Sequence, residues 1–393
     1  MQSNQPRKAV AAQKTPQQVN PFVRLSPLLA ILLLSLLAAA VFCFSVLALT
    51  PDCWRQPIEP RVLELAGPSH VGPLQRVVHQ QELDGAGQLT LYSTDSAILL
   101  DSVSVWPQAE HTGMAAPFYI GPAPVDSNYD GFTDQLISTD VMGRIWLTRI
   151  TSAGFGTTEW LADLSHPDWR FIGSAGVFDV SLPLPLRPDN VSGRHRLLLL
   201  IARNIISGED ALVALRLPHF LNESAPEPVR FGTLLDRTLL TAAEHEHGLS
   251  HEQWLAIVDS AGWWARLAGQ VTQPPKVVAG VIYSAVATQN FSATECAGQN
   301  AEHSLVAMNL HSAGLVYNQR RFRLLNALGQ LTLQQQADGS ASLVLDDQQQ
   351  QQPVLTDLKM ISPACADCTE PLQLDQFPRW LKLATYRQET GAH

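Results

Sequence analysis

The chain has 393 residues, of which 46% are hydrophobic and 16% are charged, and its formal net charge is −10. This composition is too apolar for a disordered chain, and the low charge is typical of a β-rich exported protein. Because no basic stripe follows the first 25 residues, nucleic acid is excluded as an expected partner.

The N-terminal segment carries the clearest targeting signal. Residues 1–26 are basic and contain no acidic residue, and residues 27–50 form an almost continuously apolar, uncharged run. About 20 apolar residues cross a hydrocarbon core. With the positive charges before it, this run predicts a single transmembrane helix in the inner membrane, with everything after residue 50 in the periplasm. The alternative is a signal peptide cleaved near Val46–Ala48, which would allow export to the cell surface.

Residues 51–86 are rich in Pro, His and Gln and are interpreted as a stalk or linker. Over residues 87–393, short apolar stretches alternate with Gly, Pro, Asp and Asn turns, and no long segment has a helical period. This pattern predicts an all-β sandwich, barrel or propeller. The predicted strands include Gln88–Tyr92, Gln135–Ser138, Arg144–Ile150, Arg196–Ala202, Ala211–Leu217, Trp254–Val258, Trp263–Leu267, Val277–Ala287, Ser304–Leu310, Arg321–Leu325 and a hairpin of Gly329–Leu333 with Ala341–Leu345.

A weak repeat favours the propeller among these folds. In Asp140–Trp146, Asp259–Trp264 and Met308–Leu315, a small-residue turn precedes a strand that begins with a large apolar residue. Degenerate propeller blades have this pattern, and we expect their tryptophans to pack in the core. Residues 346–352, an acidic pair followed by glutamines, are interpreted as a solvated loop.

The segment Asp126–Asp134, with sequence DSNYDGFTD, has the spacing of a calcium-binding loop. Calcium prefers six to eight hard oxygen ligands, which a tight loop supplies from alternate positions. The predicted ligands are the side chains of Asp126, Asn128, Asp130 and Asp134 and the carbonyl oxygen of Phe132. Gly131 stands where the backbone must turn sharply.

The loop is not an EF-hand. An EF-hand needs a bidentate Glu at its twelfth position and flanking helices, whereas Ile137 occupies that position here and both flanks are predicted to be extended. The alternative is a simple turn between two strands, because Asp, Asn and Gly all favour turns.

From this loop onward the sequence resembles the C-terminal β-propeller of PilY proteins, which are tip-associated adhesins and biogenesis factors of type IV pili. The family pattern is a calcium loop of the form D-x-[DN]-x-D-G-x-x-D, a short strand ending in Gly-Asp, and a Gly-x-Leu-Trp-Arg strand. All calcium positions match in Pro124–Asp134, whereas Thr139-Asp140 and Trp146-Leu147 replace the two later dipeptides.

The resemblance covers residues 110–385 in the same order, more weakly after the loop. Its segments are Leu197–Asn204, Gly208–Leu215, Gly262–Leu267, Val271–Ala287, Cys296, Ser304–Leu310 and Arg379–Leu383. The chain has no room for the von Willebrand A-like domain usual in pilus-tip PilY proteins. It also lacks an Arg-Gly-Asp tripeptide and is short for seven blades. The resemblance therefore implies a calcium site and a quinoprotein-like propeller, with incomplete or degenerate blades, more strongly than adhesion.

The function that this resemblance implies is a calcium-binding, envelope-anchored component of a type IV pilus system. Such a protein would act in assembly, retraction control or adhesion, with minor pilins as partners. No catalytic motif or small-molecule substrate is identified, so an enzyme is not expected. Two alternatives remain: a quinoprotein-like propeller enzyme, and a non-catalytic scaffold whose fold calcium only stabilises.

Two further groups of side chains offer metal or redox chemistry. Cys43 lies in the apolar run, and the four exported cysteines, Cys53, Cys296, Cys365 and Cys368, favour disulfides of undetermined pairing. For Cys365 and Cys368, a redox or zinc pair is the alternative. In the cluster of His245, His247 and His251, the last two are four positions apart and could bind a metal from one helix face, but Gly248 and Ser250 between them favour a solvated loop.

Overall fold

A computed structural model describes residues 60–358 with gaps. The gaps are residues 68–72, 84–85, 109–111, 114, 182–193, 218–227, 289–301, 325–329, 336–340 and 347–350. The predicted anchor at residues 27–50 and all five cysteines lie outside the described residues. Within the described part, no helix is long and apolar enough to cross a membrane.

The described chain is mostly β-strand, which confirms the all-β prediction. The strands are β1 (Arg61–Leu65), β2 (Leu74–Leu83), β3 (Ala86–Ser93), β4 (Leu99–Val103), β5 (Trp106–Pro107), β6 (Thr112–Gly113), β7 (Ala123–Val125), β8 (Gln135–Thr139), β9 (Arg144–Thr151), β10 (Gly154–Asp163), β11 (Trp169–Ser181), β12 (Arg194–Asn204), β13 (Asp210–Leu217), β14 (Val229–Arg230), β15 (Leu235–Asp236), β16 (Gly262–Arg266), β17 (Gln270–Val271), β18 (Lys276–Val278), β19 (Val281–Thr288), β20 (Glu302–Asn309), β21 (Arg321–Leu324), β22 (Gln330–Gln335), β23 (Ala341–Asp346) and β24 (Gln351–Leu358). The helices are a 3₁₀ turn (Phe231–Thr233), α1 (Ala242–His247) and α2 (His251–Asp259).

These strands form five principal sheets that follow one another along the chain, except that β14 returns to sheet 2 after β11–β13 of sheet 3. Sheet 1 has the order β1-β2-β3-β4, sheet 2 β14-β10-β9-β8-β7, sheet 3 β11-β12-β13-β16-β15, sheet 4 β17-β19-β20-β21 with β18 also on β19, and sheet 5 β22-β23-β24. Strands β5 and β6 form a separate ribbon. Neighbouring strands are antiparallel, except that β14 and β15 run parallel to β10 and β16.

Consecutive sheets pack face to face, because a separate apolar core fills each interval between them. Strand β12 explains how one sequence serves two cores. Leu197, Leu199 and Ile201 enter the core shared with sheet 4, while the alternate residues Leu198 and Leu200 enter the core shared with sheet 2. Side chains alternate faces along a strand, so this continuous apolar run is the pattern of a strand buried on both faces. Among the described strands, no closed ring of sheets is shown.

Most predicted strands are confirmed within a few residues. Of the tryptophans in the weak repeat, Trp146 and Trp263 are buried as expected, at 0% and 1% exposed, and Trp264 packs partly buried against the core between sheets 2 and 3. The hairpin of β22 with β23 is present. The predicted stretch Val277–Ala287 is a hairpin of β18 and β19 rather than one strand.

Two boundary predictions are wrong. The segment expected to be a stalk, residues 51–86, contains β1 and β2, because Leu63, Leu65 and Val78 are buried in the core between sheets 1 and 2. In the glutamine-rich segment 346–352, expected to be a loop, Asp346 ends β23 and the last two residues begin β24, while residues 347–350 lie outside the described residues.

The predicted strand Trp254–Val258 and the predicted histidine loop are also wrong, since both lie in two short helices. Thr241 and Glu244 form a capping box at the start of α1, and Ser250 and Gln253 form another at the start of α2. Gly248 ends α1 with φ +73°. Capping boxes satisfy backbone N–H groups that the first turn leaves free, so these polar residues start two helices where the apolar pattern suggested a strand.

Candidate metal site in the loop between β7 and β8

The loop Asp126–Asp134 connects two adjacent antiparallel strands, since Val125 of β7 pairs with Gln135 of β8. The amide of Asp134 donates to the carbonyl of Val125 (3.1 Å) and closes the base of the loop. Ile137 lies within β8 and is 1% exposed. The extended flanks and the absence of a ligand at Ile137 agree with the prediction that this is not an EF-hand.

Asp126 organises the loop around its carboxylate. Its Oδ1 accepts hydrogen bonds from the amides of Tyr129 (2.6 Å) and Asp130 (3.2 Å), and its Oδ2 accepts one from the amide of Gly131 (2.8 Å). Gly131 has φ +92°, which confirms the sharp turn expected there. The backbone therefore curls around the side chain that the spacing predicted as the first ligand.

Asn128 and Asp130 form the exposed tip and bind each other. The Asn128 Oδ1 accepts from the amide of Asp130 (3.0 Å), and the Asn128 Nδ2 donates to Oδ2 of Asp130 (2.9 Å). Oδ1 of Asp130 accepts from the amide of Phe132 (2.9 Å).

Asp134 faces the start of the loop rather than its tip. Its Oδ1 accepts from the amide of Ser127 (2.8 Å), and its Oδ2 accepts from the Ser127 hydroxyl. The predicted side-chain ligands thus lie within one loop, but each oxygen turns towards a neighbouring N–H or O–H group.

The donor chemistry fits a hard cation, although the side chains do not converge on one point. Within the described chain, no three His, Cys, Asp or Glu side chains are grouped so as to hold a metal. Every predicted donor is nevertheless an oxygen, as calcium requires. Among the described residues, none of the three carboxylates at Asp126, Asp130 and Asp134 forms an ion pair. Coordination would require Asn128 and Asp130 to turn away from each other, which their exposure permits.

A second aspartate turn, at the other end of β8, is satisfied by the protein itself. The fully buried carboxylate of Asp140 accepts from the amides of Ala116 (3.1 Å), Met142 (3.0 Å) and Arg144 (2.9 Å), and pairs with the Arg144 Nε at 2.7 Å. Burial raises the pKa of Asp140, against the opposing effect of the Arg144 guanidinium. Gly143 has φ +91°, and a Cβ there would lie 2.3 Å from the Phe171 ring.

Sequence reasoning missed the contacts of the loop with other sheets. Tyr129 reaches Asp179 in β11, and Asp126 reaches Arg196 in β12, across 50 and 70 positions of the chain. No spacing rule connects residues so far apart, and only the topology brings them together. Of the histidine cluster, His245 and His251 are exposed on α1 and α2, and the described side chains include no group of three that could hold a metal there.

Comparison with protein-family models and with curated proteins gave no match for this sequence.

Proposed function

We propose that the loop Asp126–Asp134 binds one calcium ion in a propeller-like domain, and that the protein is an envelope-anchored component of a type IV pilus system. The observation that carries the calcium proposal is the loop itself. It gathers three carboxylates and one amide oxygen within nine residues, and no described cation pairs with those carboxylates.

The side chains of Asp126, Asn128, Asp130 and Asp134, with the carbonyl oxygen of Phe132, would hold the ion. Calcium would supply two positive charges against the three carboxylates of the loop and would fix the loop tip. The loop spacing suits moderate affinity, with a Kd of about 10⁻⁵ to 10⁻³ M, as in weaker sensor and extracellular sites. Five face-to-face sheets in chain order support the propeller-like part of the proposal.

The pilus assignment rests on the sequence resemblance to PilY proteins. In that role the calcium-fixed surface would contact minor pilins, and the apolar segment 27–50 would hold the protein at the inner membrane. We propose a non-enzymatic role, because the sequence offers oxygen ligands in this loop and no catalytic motif.

A gene deletion tests this proposal, with complementation by the wild type, by the double variant D126A/D130A and by the control D95N. Asp95 is an exposed aspartate in the turn between β3 and β4. We expect the deletion to reduce surface pili and twitching motility, and the wild type and D95N, but not D126A/D130A, to restore them. Normal piliation, motility and adhesion in the deletion strain would contradict the pilus role. Full rescue by D126A/D130A would show that calcium binding at this loop is not required for the pilus role.

A further inference from the structure

The tip of the loop makes contacts beyond its own sheet. The Tyr129 hydroxyl donates to Oδ1 of Asp179, at the end of β11, over 2.9 Å. The Nε of Arg196, near the start of β12, donates to the same oxygen over 3.0 Å. The Arg196 guanidinium also lies 4.8 Å from the centre of the Tyr129 ring, a cation–π distance. These three side chains join the loop of sheet 2 to sheet 3, and we call them the clamp.

The same guanidinium contacts the backbone of the first predicted ligand. The Nη2 of Arg196 donates to the carbonyl of Asp126 over 2.6 Å. Only 12% of the Arg196 side chain is exposed, so water screens these contacts less than it would at a free surface. Asp126 therefore offers its carboxylate to the loop interior and its carbonyl to sheet 3.

Tyr129 has a left-handed backbone conformation, which is unusual for a tyrosine in a turn. Its φ is +63°, in the left-handed region that is unfavourable for bulky residues and cheap for Gly or Asn. Such strain persists where the surroundings hold it and is often associated with function. Here the surroundings are Asp179 and Arg196, and the strained conformation directs the phenol towards them.

We infer that the clamp of Tyr129, Asp179 and Arg196 couples calcium occupancy of the loop to the ordering of the adjoining ends of β11 and β12. This inference rests on the proposed calcium site. An ion that fixes the loop tip lowers the entropic cost of holding Tyr129 against Asp179. Because coupling is reciprocal, breaking the clamp weakens calcium binding by the factor by which calcium strengthens the clamp. The loop then acts as a calcium-dependent joint between two sheets.

Calcium titration calorimetry and hydrogen exchange on the full-length protein test the coupling. The variants are Y129F, which removes the hydroxyl, Y129G, which also relieves the strain, and the control Y92F in β3. We expect Y129F and Y129G to weaken calcium binding roughly fivefold or more, the lower end of usual allosteric couplings, with Y92F unchanged. In the wild type, calcium should slow amide exchange at Val177–Asp179 and Arg196–Leu198, and Y129F should abolish that slowing.

The outcomes separate the coupling from the calcium site itself. If the wild type binds calcium and both Tyr129 variants bind it equally well, with no change in exchange on sheet 3, the clamp inference is overturned and the site stands. If the wild type binds no calcium, the proposed site fails and the coupling fails with it.

Discussion

At one end of β8 the carboxylate of Asp140 is fully buried and paired with Arg144, whereas at the other end Asp126 and Asp130 lie in a more exposed loop without a described ion pair. Both ends use aspartate oxygens to accept backbone N–H groups and both turn at a glycine. They differ in charge balance. The first turn is neutralised by its own arginine and needs nothing further, and the second leaves negative charge that a cation can neutralise.

The largest expected effect comes from the buried end. The variant D140A removes four hydrogen-bond contacts and leaves Arg144 without its partner, so we expect a loss of about 3–5 kcal/mol in the free energy of unfolding. Urea denaturation measures it, and the loss should be the same with calcium and with chelator. D95A is the control, expected within about 0.5 kcal/mol of the wild type. A loss below about 1 kcal/mol for D140A would mean that the Asp140 carboxylate and its contacts do not stabilise this turn as proposed.

The second prediction concerns the exposed end. In chelator, D126A should cost about 1 kcal/mol, as for the loss of a capping side chain, because three amides lose their acceptor. Calcium at 100 times its Kd should stabilise the wild type by about 2.7 kcal/mol and D126A not at all. Thermal melts with calcium and with chelator compare the two proteins. Equal calcium stabilisation of both would place the ion elsewhere.

The third prediction concerns Glu244, a buried carboxylate whose pKa is lowered, whereas the pKa of Asp140 is raised. Burial raises the pKa of Glu244, but the Thr241 amide and the Arg237 guanidinium outweigh burial and lower the pKa below its ordinary value of 4.5. The stability that Glu244 contributes is therefore present above pH 4.5 and is lost as the pH falls towards the folded-state pKa.

The variant E244Q should lack this part of the pH dependence. Urea denaturation from about pH 6 to about pH 3 measures the free energy of unfolding of both proteins. The wild type should exceed E244Q by less at the acidic end of this range. Asp140, whose pKa is raised, has the opposite effect on stability, which falls as the pH rises, but it is present in both proteins. A constant difference between wild type and E244Q across this range would contradict the lowered pKa.

The smallest expected effect concerns Ala279, whose backbone lies in the left-handed region like that of Tyr129 in the calcium loop. Ala279 has φ +50° and precedes Gly280 in the two-residue turn between β18 and β19, where no ligand is proposed. Asn-Gly is the favoured sequence for such hairpin turns, so A279N should stabilise the protein by up to about 1 kcal/mol. Thermal denaturation measures this, and a destabilised A279N would show that the strain at this turn is compensated by contacts of the alanine.

The sequence predicted those parts of the molecule that local pattern decides. The apolar run Arg196–Ala202 identified a strand, and the spacing of Asp126 to Asp134 identified a tight loop between strands. It failed where capping decides, since Thr241 and Ser250 start helices that the apolar run at Trp254–Val258 obscured. It also missed the clamp, because Asp179 and Arg196 reach the loop only through the packing of sheet 3 beside sheet 2.

The most direct test of the calcium loop is titration calorimetry of calcium into the full-length wild type and D126A. We predict one calcium per chain for the wild type, with a Kd of about 10⁻⁵ to 10⁻³ M, and no binding to D126A. No binding heat for the wild type, together with melting unchanged by millimolar calcium, would contradict the account and leave the loop as a turn stabilised by its own hydrogen bonds.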